Sequence, residues 1–284
     1  ITVNIGTESA TFYNAYTYVP SITSITPASG PITAGNTVVI AGSGFLNGTT
    51  VKFGTQTAAI VIDSDSQITA TVPTGLAVGA VDLVVTVGSQ SATFKSAYTY
   101  LSTISALSIG TGSSAGGDTL VITGAGFTSG TTVTIGGVAA TYVSSNATSI
   151  TVRTGSRVAS STAVDVVVTT NGTSTTFARA FVYVPVITGL SASAFLATGG
   201  QTVTLTGNGF VAGKTSITID GITVSATVAS STSLTFVIPA HAETTAALDI
   251  TITVDGAQAT MPAAITYIAV VAASNTAPAP VVTT

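Results

Sequence analysis

The sequence predicts an all-β protein made of β-sandwiches that follow one another along the chain. Short β-branched segments alternate with turn residues, roughly every eight to twelve positions, which is typical of sandwiches and barrels. A glycine motif also returns at a regular spacing, which indicates an array of like domains. No stretch has the 3.6-residue hydrophobic period of a helix.

The recurring motif is Gly-x-Gly-Phe, and successive copies lie 82 and 83 residues apart. The three copies comprise Gly42, Gly44 and Phe45; Gly124, Gly126 and Phe127; and Gly207, Gly209 and Phe210. A dinucleotide-binding loop would need a third glycine and the start of a helix, whereas here we expect a strand to follow. We interpret the motif as a structural corner in which the glycines take positive φ and the phenylalanine covers the core.

The first complete repeat is predicted over residues 20–100, with seven strands. These strands are expected at 21–26, 37–41, 50–54, 58–63, 67–72, 80–87 and 90–100. The second and third repeats are predicted over 101–184 and 185–268, with closing hairpins that turn at Asn171-Gly172 and Asp255-Gly256. Because the joints between repeats have no spacer, the array should be a semi-rigid rod, about 100 Å long for three domains of this size.

Both ends of the chain differ from the repeats. Residues 1–19 resemble 83–101, with Ser-Ala-Thr-Phe and Ala-Tyr-Thr-Tyr in both, so they are predicted to be the closing hairpin of an incomplete repeat. Two explanations stay open: the sequence is cut from a longer array, or the hairpin completes a sandwich in a neighbouring subunit by strand complementation. Residues 269–284 are rich in Ala, Pro and Thr and are predicted to be a tail or linker.

The repeat carries a family resemblance. The segment Ile22-Thr-Ser-Ile-Thr-Pro-Ala-Ser-Gly-Pro31, the corner that ends at Phe45, and the closing Tyr98-Thr-Tyr100 resemble the IPT/TIG family of immunoglobulin-like domains. The second and third repeats keep the corner and the closing tyrosine but lose the Pro-Ala-Ser-Gly-Pro segment. The resemblance implies seven-stranded immunoglobulin-like sandwiches, of the kind found in receptor ectodomains, transcription factors, bacterial surface proteins and secreted polysaccharide-degrading enzymes.

The composition limits the classes of function that this chain could have. Only 6% of the residues are charged, the net charge is −4, and the six Lys and Arg are scattered, so there is no basic footprint for nucleic acid. No apolar run is long enough to span a membrane. The chain has no cysteine, which excludes disulfides and thiolate metal sites and fits a bacterial or archaeal surface protein. A surface with so little charge favours association with copies of itself or with neighbouring subunits.

The acidic residues give the candidates for a metal site. Asp82, Asp165 and Asp249 recur at spacings of 83 and 84 residues, each where a strand enters the closing hairpin. Hydrogen bonding at a strand end explains them simply, and calcium at the joints is the sharper alternative. Asp63 and Asp65 form a second calcium candidate at a strand end. No cofactor is expected.

The closing tyrosines and the single histidine are the other candidates. Tyr18, Tyr100, Tyr183 and Tyr267 could stack on glycans, but we expect them to be buried in the core or the joints with their hydroxyls bonded. His241 could belong to a Ser-His-Asp triad, but no nucleophile motif accompanies it, and a solvated loop histidine is expected. No catalytic residue is therefore assigned.

These observations predict a non-catalytic extracellular structural or adhesive protein, secreted or at the cell surface. It would be a unit of a filament, sheath, surface layer or adhesin stalk that assembles through β-sandwich packing, with strand complementation added if the N-terminal hairpin is a donor and not part of a longer array. The alternatives are a carbohydrate-binding or spacer array of a secreted polysaccharide-degrading enzyme, and a phage tail or capsid decoration protein.

Overall fold

The computed structural model describes residues 1–13 and 18–269, and all the regular structure in them is β. Within this part of the chain there is no helix long and apolar enough to cross a membrane. The strands are β1 (Thr2–Ile5), β2 (Glu8–Thr11), β3 (Ser21–Thr26), β4 (Ser29–Pro31), β5 (Thr37–Ser43), β6 (Thr50–Phe53), β7 (Gln56–Thr57), β8 (Ala59–Ser64), β9 (Gln67–Thr71), β10 (Gly79–Val87), β11 (Gln90–Leu101), β12 (Thr103–Leu107), β13 (Thr111–Ser113), β14 (Thr119–Ala125), β15 (Thr132–Ile135), β16 (Val138–Ala139), β17 (Thr141–Asn146), β18 (Ser149–Arg153), β19 (Ser160–Thr170), β20 (Thr173–Val184), β21 (Val186–Leu190), β22 (Ala194–Leu196), β23 (Thr202–Asn208), β24 (Thr215–Ile219), β25 (Ile222–Ser230), β26 (Ser233–Val237), β27 (Leu248–Val254) and β28 (Ala257–Ile268).

The strands from β3 onward form three sandwiches, called domain 1 (β3–β11), domain 2 (β12–β20) and domain 3 (β21–β28). Domain 1 pairs a four-stranded sheet, ordered β3-β5-β9-β8, with a five-stranded sheet, ordered β4-β11-β10-β6-β7. Domain 2 repeats this plan with β12-β14-β18-β17 and β13-β20-β19-β15-β16. In each domain the closing hairpin lies inside its sheet, and the short strand β4, β13 or β22 runs parallel to the last strand.

Domain 3 joins the same two layers into one eight-stranded sheet, ordered β21-β23-β26-β25-β24-β27-β28-β22. The long strand β25 pairs with β24 at its start and with β26 further on, so it passes from one layer to the other. In domains 1 and 2 the corresponding strand is broken, at Ala58 and Ala140. The seven predicted strands are thus present in domain 1, and the structure adds the short β4 and β7.

Each domain has its own core, built from alternate residues of the facing strands. In β5, for example, Val38 and Ile40 are buried while Val39 is 39% exposed. The cores of domains 1, 2 and 3 each contain the corner phenylalanine and the closing tyrosine. The prediction of all-β immunoglobulin-like sandwiches is confirmed.

The N-terminal residues form a separate two-stranded sheet. Strands β1 and β2 pair in antiparallel register around Gly6-Thr7, as predicted, and every residue from 1 to 13 is exposed. Tyr16 and residues 270–284 of the predicted tail lie outside the described residues.

Candidate functional site

The first glycine of each Gly-x-Gly-Phe corner packs against the first strand of the same domain. A Cβ on Gly42 would overlap the carbonyl oxygen of Ser21 and lie 2.5 Å from Cζ of Phe45. The same crowding recurs at Gly124 with Thr103 and Phe127, and at Gly207 with Val186 and Phe210. The first glycine is therefore needed because backbone and aromatic ring approach it closely, leaving no room for a side chain.

The second glycine has a different role. Gly44, Gly126 and Gly209 have φ of 76°, 85° and 87°, the left-handed region that favours glycine. The first glycines do not have positive φ. The predicted positive φ is thus right for the second glycine and wrong for the first, where close approach explains the residue instead.

The second glycine also marks the contact between neighbouring domains. A Cβ on Gly126 would lie 2.7 Å from Cγ2 of Val78 and 3.3 Å from Cγ2 of Ile32, both in domain 1. A Cβ on Gly209 would lie 2.5 Å from Oγ of Ser114, in domain 2. The corner of one domain therefore rests on the far end of the domain before it, and its lack of a side chain permits that approach.

The turn of each closing hairpin makes the second contact at the joint. At the first joint, Asn171 Nδ2 donates to the Val78 carbonyl at 3.1 Å. At the second joint, the Ser160 hydroxyl donates to Asp255 Oδ2 at 2.8 Å, and the Ser161 backbone N–H donates to the Asp255 carbonyl at 3.1 Å. Asn171 and Asp255 hold equivalent positions in their hairpins, so both joints use the same turn position, which donates a hydrogen bond at the first joint and accepts at the second.

Asp255 is the charged group of this arrangement. Hydrogen bonds from the Ser160 hydroxyl and from Lys214 hold the pKa of its carboxyl below the usual value, and the Lys214 ammonium lies 3.1 Å from Oδ1. Its φ of 47° is in the left-handed region, which Asp and Asn tolerate better than most residues. From the sequence, Asp255 was predicted only as a turn residue, and the polar side chain at the position equivalent to Asn171 is the signal that could have identified a joint.

The two joints enclose clefts of different chemistry. The first has a cleft of about 280 Å³ with a mainly apolar lining that includes Ile32, Leu76, Val78 and Phe127. The second has a cleft of about 250 Å³ whose lining is mostly polar and includes Ser114, Ser156, Arg157, Asn208 and Ser231. The two joints thus share the geometry of the domain contact, while the side chains around it differ.

The closing tyrosines are core residues. Tyr100, Tyr183 and Tyr267 are 1%, 2% and 1% exposed, so none offers a ring face to a sugar. Tyr18, at the equivalent position of the N-terminal segment, is 84% exposed. Burial was the predicted environment, and Tyr18 departs from it because no described sandwich covers its segment.

The tyrosine hydroxyls differ between domains. Tyr100 donates to the Pro73 carbonyl and Tyr267 to the Pro239 carbonyl, each at 3.0 Å. Among residues 1–13 and 18–269, the buried Tyr183 hydroxyl has no hydrogen-bond partner. Burial raises the pKa of all three hydroxyls, that of Tyr100 to about 12. The prediction that the closing tyrosines have hydrogen-bonded hydroxyls is therefore wrong for Tyr183 of domain 2.

The recurring aspartates hold an irregularity in each closing hairpin. Their Oδ1 atoms accept a backbone N–H at 2.8 to 2.9 Å from a residue with φ between 48° and 49° on the partner strand. The pairs are Asp82 with Ser96, Asp165 with Arg179, and Asp249 with Ala263. The ladder register shifts at these points, so each carboxylate caps a β-bulge.

The acidic side chains are not gathered into a metal centre. Asp63 accepts from Thr69 at 2.7 Å and from Gln67 at 3.2 Å, and it lies on an exposed strand end with Asp65. Within residues 1–13 and 18–269, no three Asp, Glu or His side chains group so as to hold a metal ion. Of the five aspartates considered as calcium ligands, four accept hydrogen bonds from the chain itself, and Asp65 is exposed to solvent.

His241 is more enclosed than predicted. Its side chain is 16% exposed, and its ring stacks on Tyr267 with centroids 4.9 Å apart, so it lies in a loop as expected but is less open to solvent than expected. One ring nitrogen lies 2.9 Å from Asp220 Oδ2 and the other 2.8 Å from the Ala242 carbonyl. Both neighbours are acceptors, and they raise the pKa of His241, Ala242 first. The imidazolium satisfies both, so this histidine ties a loop down.

Solved structures with similar chains come from several extracellular and surface proteins. The plexin A4 extracellular region is 19% identical (TM-score 0.29; 83% of this chain, 23% of that one). The surface glycan-binding protein PbSGBP-B from Prevotella bryantii is 17% identical (TM-score 0.35; 58% and 42%). The Bacteroides ovatus SGBP-B, solved with a mixed-linkage heptasaccharide, is 18% identical (TM-score 0.23; 89% and 71%). The chain thus spans less than a quarter of the plexin and less than half of PbSGBP-B.

The family assignment rests on the sequence itself. No curated protein matches the chain. The IPT/TIG domain family matches it three times, over residues 20–100, 102–183 and 185–267, which together make up most of its length. The resemblance seen in the corner and the closing tyrosine is confirmed, and the chain belongs to the IPT/TIG domain family.

Proposed function

We propose that this chain is a non-catalytic extracellular structural or adhesive protein. In this role it serves as a unit of a cell-surface filament, sheath, surface layer or adhesin stalk in a bacterium or archaeon. The observation that carries the proposal is the repeated joint, in which corner and hairpin turn of one domain rest on the end of the one before. Such joints set the spacing and orientation of successive domains, as a stalk or a filament unit requires.

The use of the polar side chains supports a mechanical role. Asp82, Asp165 and Asp249 hold bulges, Asp255 holds a joint, and both ring nitrogens of His241 face acceptors of its own domain. A general base needs a free lone pair within reach of a substrate proton. These groups are instead engaged with the chain itself.

The experiment that tests this proposal is immunogold electron microscopy of the organism that produces the chain, together with negative-stain images of the purified protein. We expect gold particles on the outer surface and straight particles about 100 Å long, from three domains of about 30 Å each. Gold particles confined to the cell interior would contradict the proposal.

A carbohydrate-binding array is the second candidate, favoured by one exposed aromatic residue. Tyr142 lies on the edge strand β17 of domain 2 and is 42% exposed. An exposed ring of this kind has an apolar face and a polar tip. Glycan-array binding that is lost in Tyr142→Ala and kept in the neighbouring Val143→Ala would favour this candidate, whereas no binding by the unaltered chain would remove it.

A further inference from the structure

The cleft between domains 2 and 3 gathers polar side chains that the chain itself leaves unpaired. Its lining includes Ser114 and Arg157 of domain 2 and Asn208 and Ser231 of domain 3. Ser114 is 0% exposed, and its hydroxyl has no hydrogen-bond partner among residues 1–13 and 18–269. A buried hydroxyl without a partner costs stability, so this cleft holds a group that still lacks its hydrogen bond.

The first joint shows that the domain contact does not need these polar groups. Backbone hydrogen bonds and the corner identify four equivalent lining positions at the two joints. At the first joint none of the four has a polar side chain, and at the second joint all four do. The pairs, with the first joint named first, are Ile32 and Ser114, Gly75 and Arg157, Ala125 and Asn208, and Ala147 and Ser231.

Arg157 supplies the charge of the cleft. One of its guanidinium nitrogens donates to the Gly136 carbonyl, and within the described part of the chain no carboxylate forms an ion pair with it. Arg157 also lines a smaller cleft of about 90 Å³ beside Tyr183, the other residue of domain 2 with a buried, unpaired hydroxyl. No acidic residue lines either cleft. A guanidinium has five N–H donors, so most of this group is free to bind an anion.

We propose that the cleft between domains 2 and 3 binds a small carboxylate that also carries hydroxyl groups, as a uronic acid does. The planar fork of Arg157 matches a carboxylate, and one guanidinium balances its single charge better than the two charges of a sulfate. The serine hydroxyls and the Asn208 amide both donate and accept, so they suit the ligand's hydroxyls. At about 30 Å³ for each water displaced, the volume of about 250 Å³ has room for one sugar unit.

A ligand in this position would contact both domains at once, through Arg157 of domain 2 and Asn208 of domain 3. This binding activity goes beyond the structural role proposed above and does not depend on it. It is also distinct from the glycan candidate at Tyr142, which lies on the edge strand β17 and does not line this cleft.

The test is a nuclear magnetic resonance titration of the full chain with galacturonate, with galactose and sulfate at equal ionic strength as comparison ligands. We expect the backbone amides of Arg157, Asn208 and Gly209 to shift and saturate with a Kd on the order of 1 mM, which is usual for a ligand of this size. The amide of Gly126, at the apolar first joint, should not move. Galactose, which lacks the carboxylate, should cause no saturable shift, and sulfate should bind at least about tenfold more weakly.

Two arginine variants provide a matched comparison. Arg157→Gln should weaken galacturonate binding at least about tenfold, because hydrogen bonds to a charged group are lost. Arg153→Gln removes the same charge from the same domain, and Arg153 also donates to a glycine carbonyl, that of Gly117 at 3.1 Å, but it does not line the cleft. The affinity of Arg153→Gln should equal that of the unaltered chain.

The variant Asn208→Ala keeps the test decisive if Arg157→Gln disturbs the joint. It installs the residue that the first joint carries as Ala125, so the joint should still close, and we expect binding to weaken several-fold. The proposal is overturned if the unaltered chain shows no saturable shifts at the second joint with galacturonate, or if galactose or sulfate binds there as tightly. It is also overturned if Asn208→Ala and Arg157→Gln both bind galacturonate as the unaltered chain does.

Discussion

At the scale of single residues, the closing tyrosine shows how one position can be used in different ways. Tyr267 donates to the carbonyl of Pro239, two residues beyond the end of β26. In domain 2 the position two residues beyond β18 is Gly155, and the hydroxyl of Tyr183 is left without a partner. A buried hydroxyl without a partner costs stability, so the same residue type should contribute differently in the two domains.

Replacement of each tyrosine by phenylalanine measures this difference. We expect Tyr267→Phe to lower the stability of domain 3 by about 1 kcal/mol, because a hydrogen bond is lost and a carbonyl is left unpaired. We expect Tyr183→Phe to leave domain 2 unchanged or more stable. Native-state hydrogen exchange reports each domain separately. A loss in Tyr183→Phe as large as that in Tyr267→Phe would contradict the assignment of the unbonded hydroxyl.

The joint around Asp255 should respond to acid. Its pKa is lowered in the folded chain, first by the Ser160 hydroxyl and then by Lys214, so its contribution is present above the ordinary value of 3.8 and is lost as pH falls through the lower folded value. We expect exchange of the Ser161 N–H, corrected for intrinsic rate, to stay constant from pH 7 to about pH 4 and to accelerate below that. The variant Asp255→Asn should lack the acid step, and an acid step of equal size in that variant would show that another group is responsible.

At the scale of elements, the sequence was sufficient to predict a turn or a strand wherever a local signal determines it. The hairpin turns at Asn171-Gly172 and Asp255-Gly256 lie where expected, because turn residues with positive φ leave few alternatives. The β-branched segments became strands for the same kind of local reason. The short parallel strand β4 could not be foreseen, because Ser-Gly-Pro has no strand pattern and pairs only once β11 is in place.

The candidate site was less predictable, because its contacts join residues far apart in sequence. The spacing of Asp82, Asp165 and Asp249 pointed to a strand-end hydrogen bond, but nothing local identified the bulge residue 14 positions later. The joint between Asp255 and Ser160 spans 95 positions. Periodicity can locate equivalent positions in the repeats, but the partner of each position depends on how the domains pack.

The corner glycines allow the joint to be tested as an element. Gly44 and Gly126 both have positive φ, so alanine at either carries a similar backbone cost, roughly 1 kcal/mol. Only at Gly126 does the new Cβ meet a side chain of another domain, Val78, at 2.7 Å. We expect Gly126→Ala to accelerate hydrogen exchange of the amides at the joint between domains 1 and 2. This acceleration should be larger than the one that Gly44→Ala causes in the amides around its own corner in domain 1. Equal effects of the two substitutions would mean that Gly126 serves only its own turn.

At the scale of the whole molecule, the repeated joint turns a series of sandwiches into a directional array. Domains 2 and 3 each present a corner and a hairpin turn to the domain before them, and domains 1 and 2 receive these with the loops of Val78 and Ser160. The contacts therefore add domains in one direction only. The short connections at Ser102 and Pro185 leave little freedom, and Ser102 is 1% exposed and bonded to Thr175 at 2.8 Å.

The central claim is that these joints fix the relative orientation of the domains. Because the chain has no cysteine, spin labels can be introduced in pairs at the exposed positions Val61, Val143 and Val237, one in each domain. Pulsed electron paramagnetic resonance then gives the distance distributions between domains 1 and 2 and between domains 2 and 3. We expect a single narrow peak for each pair. A broad distribution spreading over tens of ångströms, as two domains on a flexible linker would give, would contradict the claim.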